Sequence, residues 1–137
     1  MDVADIAKKV FDTVSLAKTR LTGEAINSLQ LFEDGKVAFL TITKEMQKRA
    51  GADDEDCDGL VNIGRNIEGV EVAVLLKTAP DGSIKASIRS NAYADVAKVA
   101  QKFSGGGHKR AAGCIINSDI DSARDMILEE IRKELNL

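Results

Sequence analysis

Residues 69–90, GVEVAVLLKTAPDGSIKASIRS, limit the possible folds of this chain more than any other segment. Apolar side chains recur at every second position on both sides of a Pro-Asp-Gly sequence: Val70, Val72, Val74 and Leu76 before it, and Ile84, Ala86 and Ile88 after it. A period of two residues is typical of a strand, and Pro80-Asp81-Gly82 favours a tight turn. The segment therefore predicts a β-hairpin with one apolar face.

The flanking segments predict a second hairpin and several helices. Residues 28–43, SLQLFEDGKVAFLTIT, contain an Asp34-Gly35 turn between two apolar runs. Helical spacing predicts an amphipathic helix over residues 3–20, a further piece after Gly23, and short helices at 44–50 and 56–62. An apolar stripe at Val96, Val99, Ala100 and Phe103 predicts a helix that Asp95 caps and the following glycines stop.

The C-terminal part completes the predicted fold. Residues 111–117 are expected to form a short strand, and Ser118 with Asp121 has the spacing of a capping box for a final helix. That helix carries Ile120, Ala123, Ile127 and Ile131 on one side. Hairpins interspersed with helices predict one α/β domain over residues 1–137, with a mixed, largely antiparallel sheet flanked by helices.

Composition limits the classes of function. A chain of 137 residues with 44% apolar side chains can build one core, and a net charge of −3 argues against a uniformly basic nucleic-acid-coating protein. Any site for a polyanion must therefore be local. Two cysteines far apart and the lack of an apolar run near 18 residues predict free thiols, a cytoplasmic location and no membrane interaction.

A glycine run within residues 102–114, KFSGGGHKRAAGC, is the strongest functional signal. Gly105, Gly106 and Gly107 can present successive backbone N–H groups to an anion without hindrance from a Cβ. His108 follows them, and Lys109 and Arg110 would favour an anion if they opened a short helix. The ordinary alternative is that the glycines end a helix and both cations are solvated. Neither the Walker A pattern nor the dinucleotide-binding pattern fits.

Residues 69–90 and 95–114 resemble the DHH-associated C-terminal domain of the DHH phosphoesterases, in the nano-RNase (NrnA-like) and RecJ-like branch. The resemblance depends on the Gly-Gly-Gly-His signature at 105–108, followed by Ala-Ala-Gly at 111–113. Segments 34–43 and 60–75 also fit, so it covers nearly the whole chain. The related domain of alanyl-tRNA synthetases typically lacks the histidine, so His108 favours the phosphoesterase branch.

The resemblance implies that this domain binds short RNA oligonucleotides or phosphorylated nucleotides. It also implies that hydrolysis belongs to a separate N-terminal DHH domain of the parent protein that holds manganese, so that this chain alone is inactive and is the C-terminal portion of a longer enzyme. The substrate contacts it implies are Arg89, Ser90, Gly105, Gly106, Gly107 and His108, with Asn91, Tyr93, Lys109 and Arg110 as further candidates. Strand parity agrees, because Lys85, Ser87 and Arg89 share the face opposite to the apolar one.

Two metal-site patterns are rejected, so no metal ligand and no cofactor is assigned to this chain. Asp54, Asp56, Asp58 and Gly59 match the start of a calcium loop, but Arg65 occupies the twelfth position, where a bidentate glutamate is needed. The two cysteines and His108 lack the short spacing of zinc ligands.

Several alternatives stay open at this point. The chain could be a non-catalytic RNA- or tRNA-binding appendage, a ligand-free dimerisation module, or a stand-alone binding protein, and a homodimer is compatible with each. The substrate of the parent enzyme could be nano-RNA, 3′-phosphoadenosine 5′-phosphate, a linear dinucleotide or polyphosphate.

Overall fold

The computed structural model describes residues 13–137, which form one six-stranded sheet with helices on both faces. In chain order the elements are α1 (Leu16–Asn27), β1 (Gln30–Phe32), β2 (Val37–Ile42), α2 (Lys44–Ala50), a 3-10 helix (Asp54–Cys57), α3 (Val61–Arg65), β3 (Val72–Thr78), β4 (Ile84–Ser90), α4 (Val96–Gln101), β5 (Gly106–His108), β6 (Ala111–Ile116) and α5 (Ile120–Glu134). None of the helices within this part of the chain is long and apolar enough to cross a membrane.

The sheet has the strand order β1-β2-β3-β4-β6-β5. Neighbouring strands are antiparallel except for β2 and β3, which run parallel with Phe39 beside Val74. The parallel pair requires a crossover, and α2, the 3-10 helix and α3 supply it. The predicted fold, a single α/β domain with a mixed and largely antiparallel sheet, is confirmed.

The two faces of the sheet carry different cores. On one face α4 and α5 pack on all of the central strands, with Phe39, Val74 and Ile127 fully buried between the layers. On the other face α1, α2 and α3 form a second core around Leu40 and Leu75 that includes no residue of β4, β5 or β6. The helices of this second layer therefore leave the outer half of that face open.

Both predicted hairpins are confirmed. In the first, Glu33, Asp34 and Gly35 all take positive φ, which the Asp-Gly sequence favours, and the Gly35 N–H donates to the Phe32 carbonyl. In the second, β3 and β4 pair in full register from Val72 with Ser90 to Thr78 with Ile84. The prediction of a single apolar face was wrong for β3, because helices cover both of its faces and bury Ala73 and Leu75 as well.

The described part of the N-terminal helix differs from the prediction of one helix over residues 3–20. Residues 3–12 of the expected helix lie outside the described residues. The described helix begins at Leu16, because the Ser15 side chain accepts a hydrogen bond from the Lys18 N–H. It then continues through Gly23 to Asn27 without a break, because Leu21 and Ala25 pack into the second core.

Later boundaries show smaller differences. The helix expected at 44–50 is confirmed, whereas the one expected at 56–62 is replaced by the 3-10 helix and α3. Asp119 rather than Ser118 caps α5, since its side chain accepts from the Ser122 N–H at 2.7 Å. Asp95 caps α4 as expected, but the left-handed residue after this helix is Ser104, with φ of 61°, and not one of the glycines.

Candidate functional site

The open half of the sheet brings separate segments together on one surface. Three cross-strand rows follow from the pairing of β4 with β6 and of β6 with β5. Arg89, Ala111 and His108 form the first row, Ser87, Gly113 and Gly106 the second, and Lys85 and Ile115 the third. We call these eight residues the open face. Arg89 and the glycine run, about twenty positions apart in the chain, are thus neighbours on it.

Three adjoining clefts follow this surface. The first, of about 220 Å³, lies between the 3-10 helix and β4 and is lined by Asp58, Lys77, Lys85 and Arg89 among others. The second, of about 310 Å³, lies between Arg89 and the Gly106–Gly107 backbone. The third, of about 540 Å³, begins at Lys85 and extends past Ile115. Ser87 lines all three, so they form one continuous groove.

Three cations surround the first cleft. Lys77 pairs with Asp54 at 3.5 Å, and the Gln47 hydrogen bond and then the Lys77 charge hold the pKa of Asp54 below its usual range. Arg89 donates only to the carbonyl of its own neighbour Ile88, at 3.0 Å. Neither Arg89 nor Lys85 forms an ion pair with any residue between 13 and 137. The lining of this cleft therefore holds three cations against one carboxylate, that of Asp58.

The three glycines have different surroundings. A Cβ at Gly105 would lie 2.2 Å from the Gly113 carbonyl oxygen, and one at Gly107, whose φ is 147°, would lie 2.5 Å from the Ala111 oxygen. Both glycines therefore allow the chain to press against β6. A Cβ at Gly106 would meet nothing within 4 Å. Among the three, only Gly106 combines an exposed backbone with open space.

His108 ends β5, the edge strand, with its imidazole exposed and without a hydrogen-bond partner among residues 13–137. Lys109 and Arg110 do not open a helix, which corrects that expectation; they form the turn between β5 and β6. The Arg110 guanidinium donates to the carbonyls of Ala94 and Ala92 at 2.7 Å each. Its hydrogen bonds are therefore used to hold another loop, while the Lys109 side chain is exposed.

The remaining candidates lie at the end of β4 and in the loop of residues 91–95. The Ser90 hydroxyl is buried and donates to the Ala94 carbonyl at 2.6 Å. The Asn91 side-chain amide donates to the carbonyls of Arg65 and Val70. The Tyr93 ring is 59% exposed. The side chains of Ser90 and Asn91 thus hold the loop in place, whereas the Tyr93 ring is exposed to solvent.

Sequence reasoning missed Glu71, which organises the same loop. This carboxylate is only 6% exposed and accepts hydrogen bonds from the N–H groups of Ala92, Tyr93 and Ala94. Nothing in the sequence singled it out, because a glutamate that alternates with Val70 and Val72 has the pattern of an ordinary strand position. Lys77, Lys85 and Ser87 were not singled out as ligand contacts either, although strand parity had placed Lys85 and Ser87 on the same face as Arg89.

The cysteines and acidic residues offer no reactive centre in the described part of the chain. Cys57 and Cys114 are free and buried, and burial raises the pKa of Cys114 to about 11. The acidic stretch after Asp53 uses its carboxylates locally, since Asp56 accepts from the Asp53 N–H. Residues 13–137 contain no group of three His, Cys, Asp or Glu side chains that could hold a metal ion.

Comparisons with known proteins agree on one family. The family model of the DHHA1 domain matches residues 34–136. The "bifunctional oligoribonuclease and PAP phosphatase NrnA" of Thermus thermophilus is 36% identical over 117 residues, which are 85% of this chain and 34% of that protein. The protein of the same name from Mycoplasma genitalium is 32% identical over 84 residues, which are 61% of this chain and 26% of that protein.

Solved structures show the same fold. An exopolyphosphatase-related protein from Bacteroides fragilis superimposes with a TM-score of 0.88 at 29% identity, over 97% of this chain and 39% of that one. A pGpG-specific phosphodiesterase from Vibrio cholerae superimposes with a TM-score of 0.59 at 14% identity, over 88% of this chain and 39% of that one, and shows the fold alone. The chain spans about a third of the length of the curated relatives it matches.

Proposed function

This chain belongs to the DHHA1 domain family, and from that premise we propose that it is the substrate-binding domain of a DHH-type phosphoesterase. In this role it binds short phosphorylated oligonucleotides or phosphorylated nucleotides. A separate N-terminal DHH domain, holding manganese, hydrolyses them, and both domains act in the cytoplasm. The proposal extends to this chain the activities named for its relatives, an oligoribonuclease and PAP phosphatase.

The observation that carries the proposal is the excess of positive over negative side chains along the groove of the open face. Arg89 and Lys85 lie on the same face of β4; no carboxylate among the described residues pairs with Arg89, and the Lys85 charge helps to lower the pKa of Asp54 without a direct ion pair. A guanidinium can bind two phosphate oxygens at once, and a lysine adds a point charge. An excess of cations beside a cleft favours a phosphorylated ligand over a neutral one.

Gly106 and His108 complete the proposed clamp from the edge strand. Gly106 is exposed beside the cleft that Arg89 also lines, and because it has no side chain a phosphate group can approach this part of β5 closely. His108 lies in the same cross-strand row as Arg89 and contacts a phosphate or a base. Gly105 and Gly107 serve the clamp indirectly, because they keep β5 close to β6.

Replacement of His108 tests the clamp most directly. His108→Ala is expected to weaken binding of a 5′-phosphorylated dinucleotide by about 1–3 kcal/mol, the range for losing a hydrogen bond to a charged group. Isothermal titration of the 137-residue chain measures this, and Lys36→Ala, which removes an exposed charge from the β1–β2 turn at the opposite edge of the sheet, is the control. Unchanged affinity in His108→Ala would show that the His108 side chain does not contribute to ligand binding.

The salt dependence of binding separates the proposal from the other classes. A clamp for short ligands neutralises few phosphates, so its affinity should fall only slowly with salt concentration. Tight binding of long RNA with a steep salt dependence would support an RNA-binding appendage instead. The absence of any effect of phosphorylated nucleotides on the thermal unfolding midpoint would support a ligand-free dimerisation module.

A further inference from the structure

The third and largest cleft of the groove differs in chemistry from the other two. It lies beyond Lys85 and is lined mainly by Phe103, the Gly105 and Gly113 backbones, Cys114 and Ile115, with Asn117 at its rim. Resting on the proposed function, we propose that this cleft binds the base of a second nucleotide. The chain would therefore favour ligands with two nucleosides over a mononucleoside bisphosphate.

The size and lining of the cleft fit a nucleobase. Its volume of about 540 Å³ lies within the range usual for small-molecule sites, whereas the first cleft, at about 220 Å³, lies below it. Ile115 is 62% exposed because β5 pairs only with residues 111–113 of β6, and the half-buried Phe103 lines the same cleft. An apolar floor with few polar groups is typical of a pocket for a flat, mostly apolar ligand.

Polar groups occur where the edge of a base would need them. Asn117 is exposed at the rim and has no hydrogen-bond partner among residues 13–137, so its side-chain amide can both donate and accept. Ser104, another exposed residue, also lines the cleft and carries a hydroxyl. An amide and a hydroxyl around an apolar floor are suited to a ring with donors and acceptors on its edge.

The position of the cleft connects it to ligand length. Ile115 pairs with Lys85, which is four residues from Arg89 along β4, so the two ends of the groove are separated by roughly 13 Å. A single nucleoside held at Arg89 and Gly106 leaves the far cleft empty. A second nucleotide extends along β4 past Ser87, with Lys85 beside its phosphate, and reaches Ile115.

Nuclear magnetic resonance titration of the 137-residue chain, labelled at isoleucine methyl groups and backbone amides, tests this inference at weak affinities. The two ligands are 5′-phosphorylated diadenylate and 3′-phosphoadenosine 5′-phosphate. Both are expected to shift the Gly106 and His108 amides, and only the diadenylate is expected to shift the Ile115 methyl group. Ile115→Ser should weaken diadenylate binding roughly fivefold to tenfold while changing bisphosphate binding by less than roughly twofold.

Leu31→Ser is the matched control, because Leu31 is a half-exposed strand residue on β1, at the opposite edge of the sheet. It should leave the affinity for both ligands unchanged. Suppose that both ligands shift the Gly106 and His108 amides but Ile115→Ser binds diadenylate like the original chain. The proposal that the third cleft binds a base is then wrong, whereas the proposed function is not contradicted. If neither ligand shifts those amides, the proposed function itself fails.

Discussion

At the residue scale, the adjacent glycines Gly105, Gly106 and Gly107 have different structural surroundings. Gly105 and Gly107 permit contacts with the β6 backbone that no side chain could tolerate, whereas Gly106 faces open space. The same Gly-Gly-Gly sequence therefore combines packing with ligand access. Single substitutions at these glycines can therefore measure the effect on stability separately from the effect on ligand binding.

Gly105→Ala and Gly106→Ala should affect opposite properties. Gly105→Ala forces a Cβ to within 2.2 Å of a backbone oxygen, so the chain must shift, and we expect a loss of about 1–3 kcal/mol in the free energy of unfolding. Gly106→Ala should leave this free energy within about 0.5 kcal/mol and weaken nucleotide binding instead. Urea denaturation and isothermal titration of both variants measure the two effects.

Each variant is the control for the other. Equal losses of stability in Gly105→Ala and Gly106→Ala would show that the two surroundings do not differ as described. Full nucleotide affinity in a stable Gly106→Ala variant would show that the ligand does not approach this part of the β5 backbone.

At the scale of elements, the loop between β4 and α4 is held from three directions. Glu71 at the start of β3 accepts three of its N–H groups, Asn91 donates to Arg65 and Val70, and Arg110 donates to two of its carbonyls. These contacts satisfy backbone groups that regular structure leaves unpaired. They also fix the end of β4, and so the position of Arg89, relative to the turn that follows His108.

Glu71→Gln should therefore destabilise the domain by about 1–3 kcal/mol, because neutral oxygen replaces a buried charged acceptor of backbone hydrogen bonds. Amide hydrogen exchange should quicken most at Tyr93 and Ala94, whose N–H groups lose the charged partner. Glu68→Gln, at an exposed position three residues earlier, is the control and should change neither property. Equal stability of both variants would contradict the role given to Glu71.

At the scale of the whole molecule, burial of Cys114 in the core between the sheet and α4 and α5 couples stability to alkaline pH. Burial raises the pKa of this thiol to about 11, so the folded state favours the neutral form. A group whose pKa is raised on folding contributes stability that is complete below its unfolded pKa. That contribution is lost as the pH rises toward the folded value of about 11.

The comparison of the original chain with Cys114→Ala tests this coupling. At pH 7 the variant should be less stable, because a small cavity replaces the sulfur. Between about pH 8.5 and pH 11 the original chain should lose stability faster, so the difference between the two should narrow. Urea denaturation at several pH values measures it, and a difference that stays constant with pH would contradict a raised thiol pKa.

The family, the fold class and most elements could be predicted from the sequence because their signals are local. Turn residues such as Asp34 and Gly35, the two-residue period of β3 and β4, and the cap at Asp95 depend on positions a few residues apart. The Gly-Gly-Gly-His signature is likewise contiguous, and strand parity placed Arg89 on the correct face. The predicted end of the first helix at residue 20 was wrong because Leu21 and Ala25 pack into the second core, and the predicted cap at Ser118 was wrong because the neighbouring Asp119 caps α5.

The tertiary structure alone decided which residues share the candidate site. Arg89 shares a cross-strand row with His108 through the register of β4, β6 and β5, and the groove exists because the core of the second helical layer includes no residue of β4, β5 or β6. The separate tasks of the three glycines, the burial of Glu71 and the exposure of Ile115 depend on the same long-range packing. A sequence pattern reports the period of each strand, but not the neighbour it pairs with or the layer that covers it.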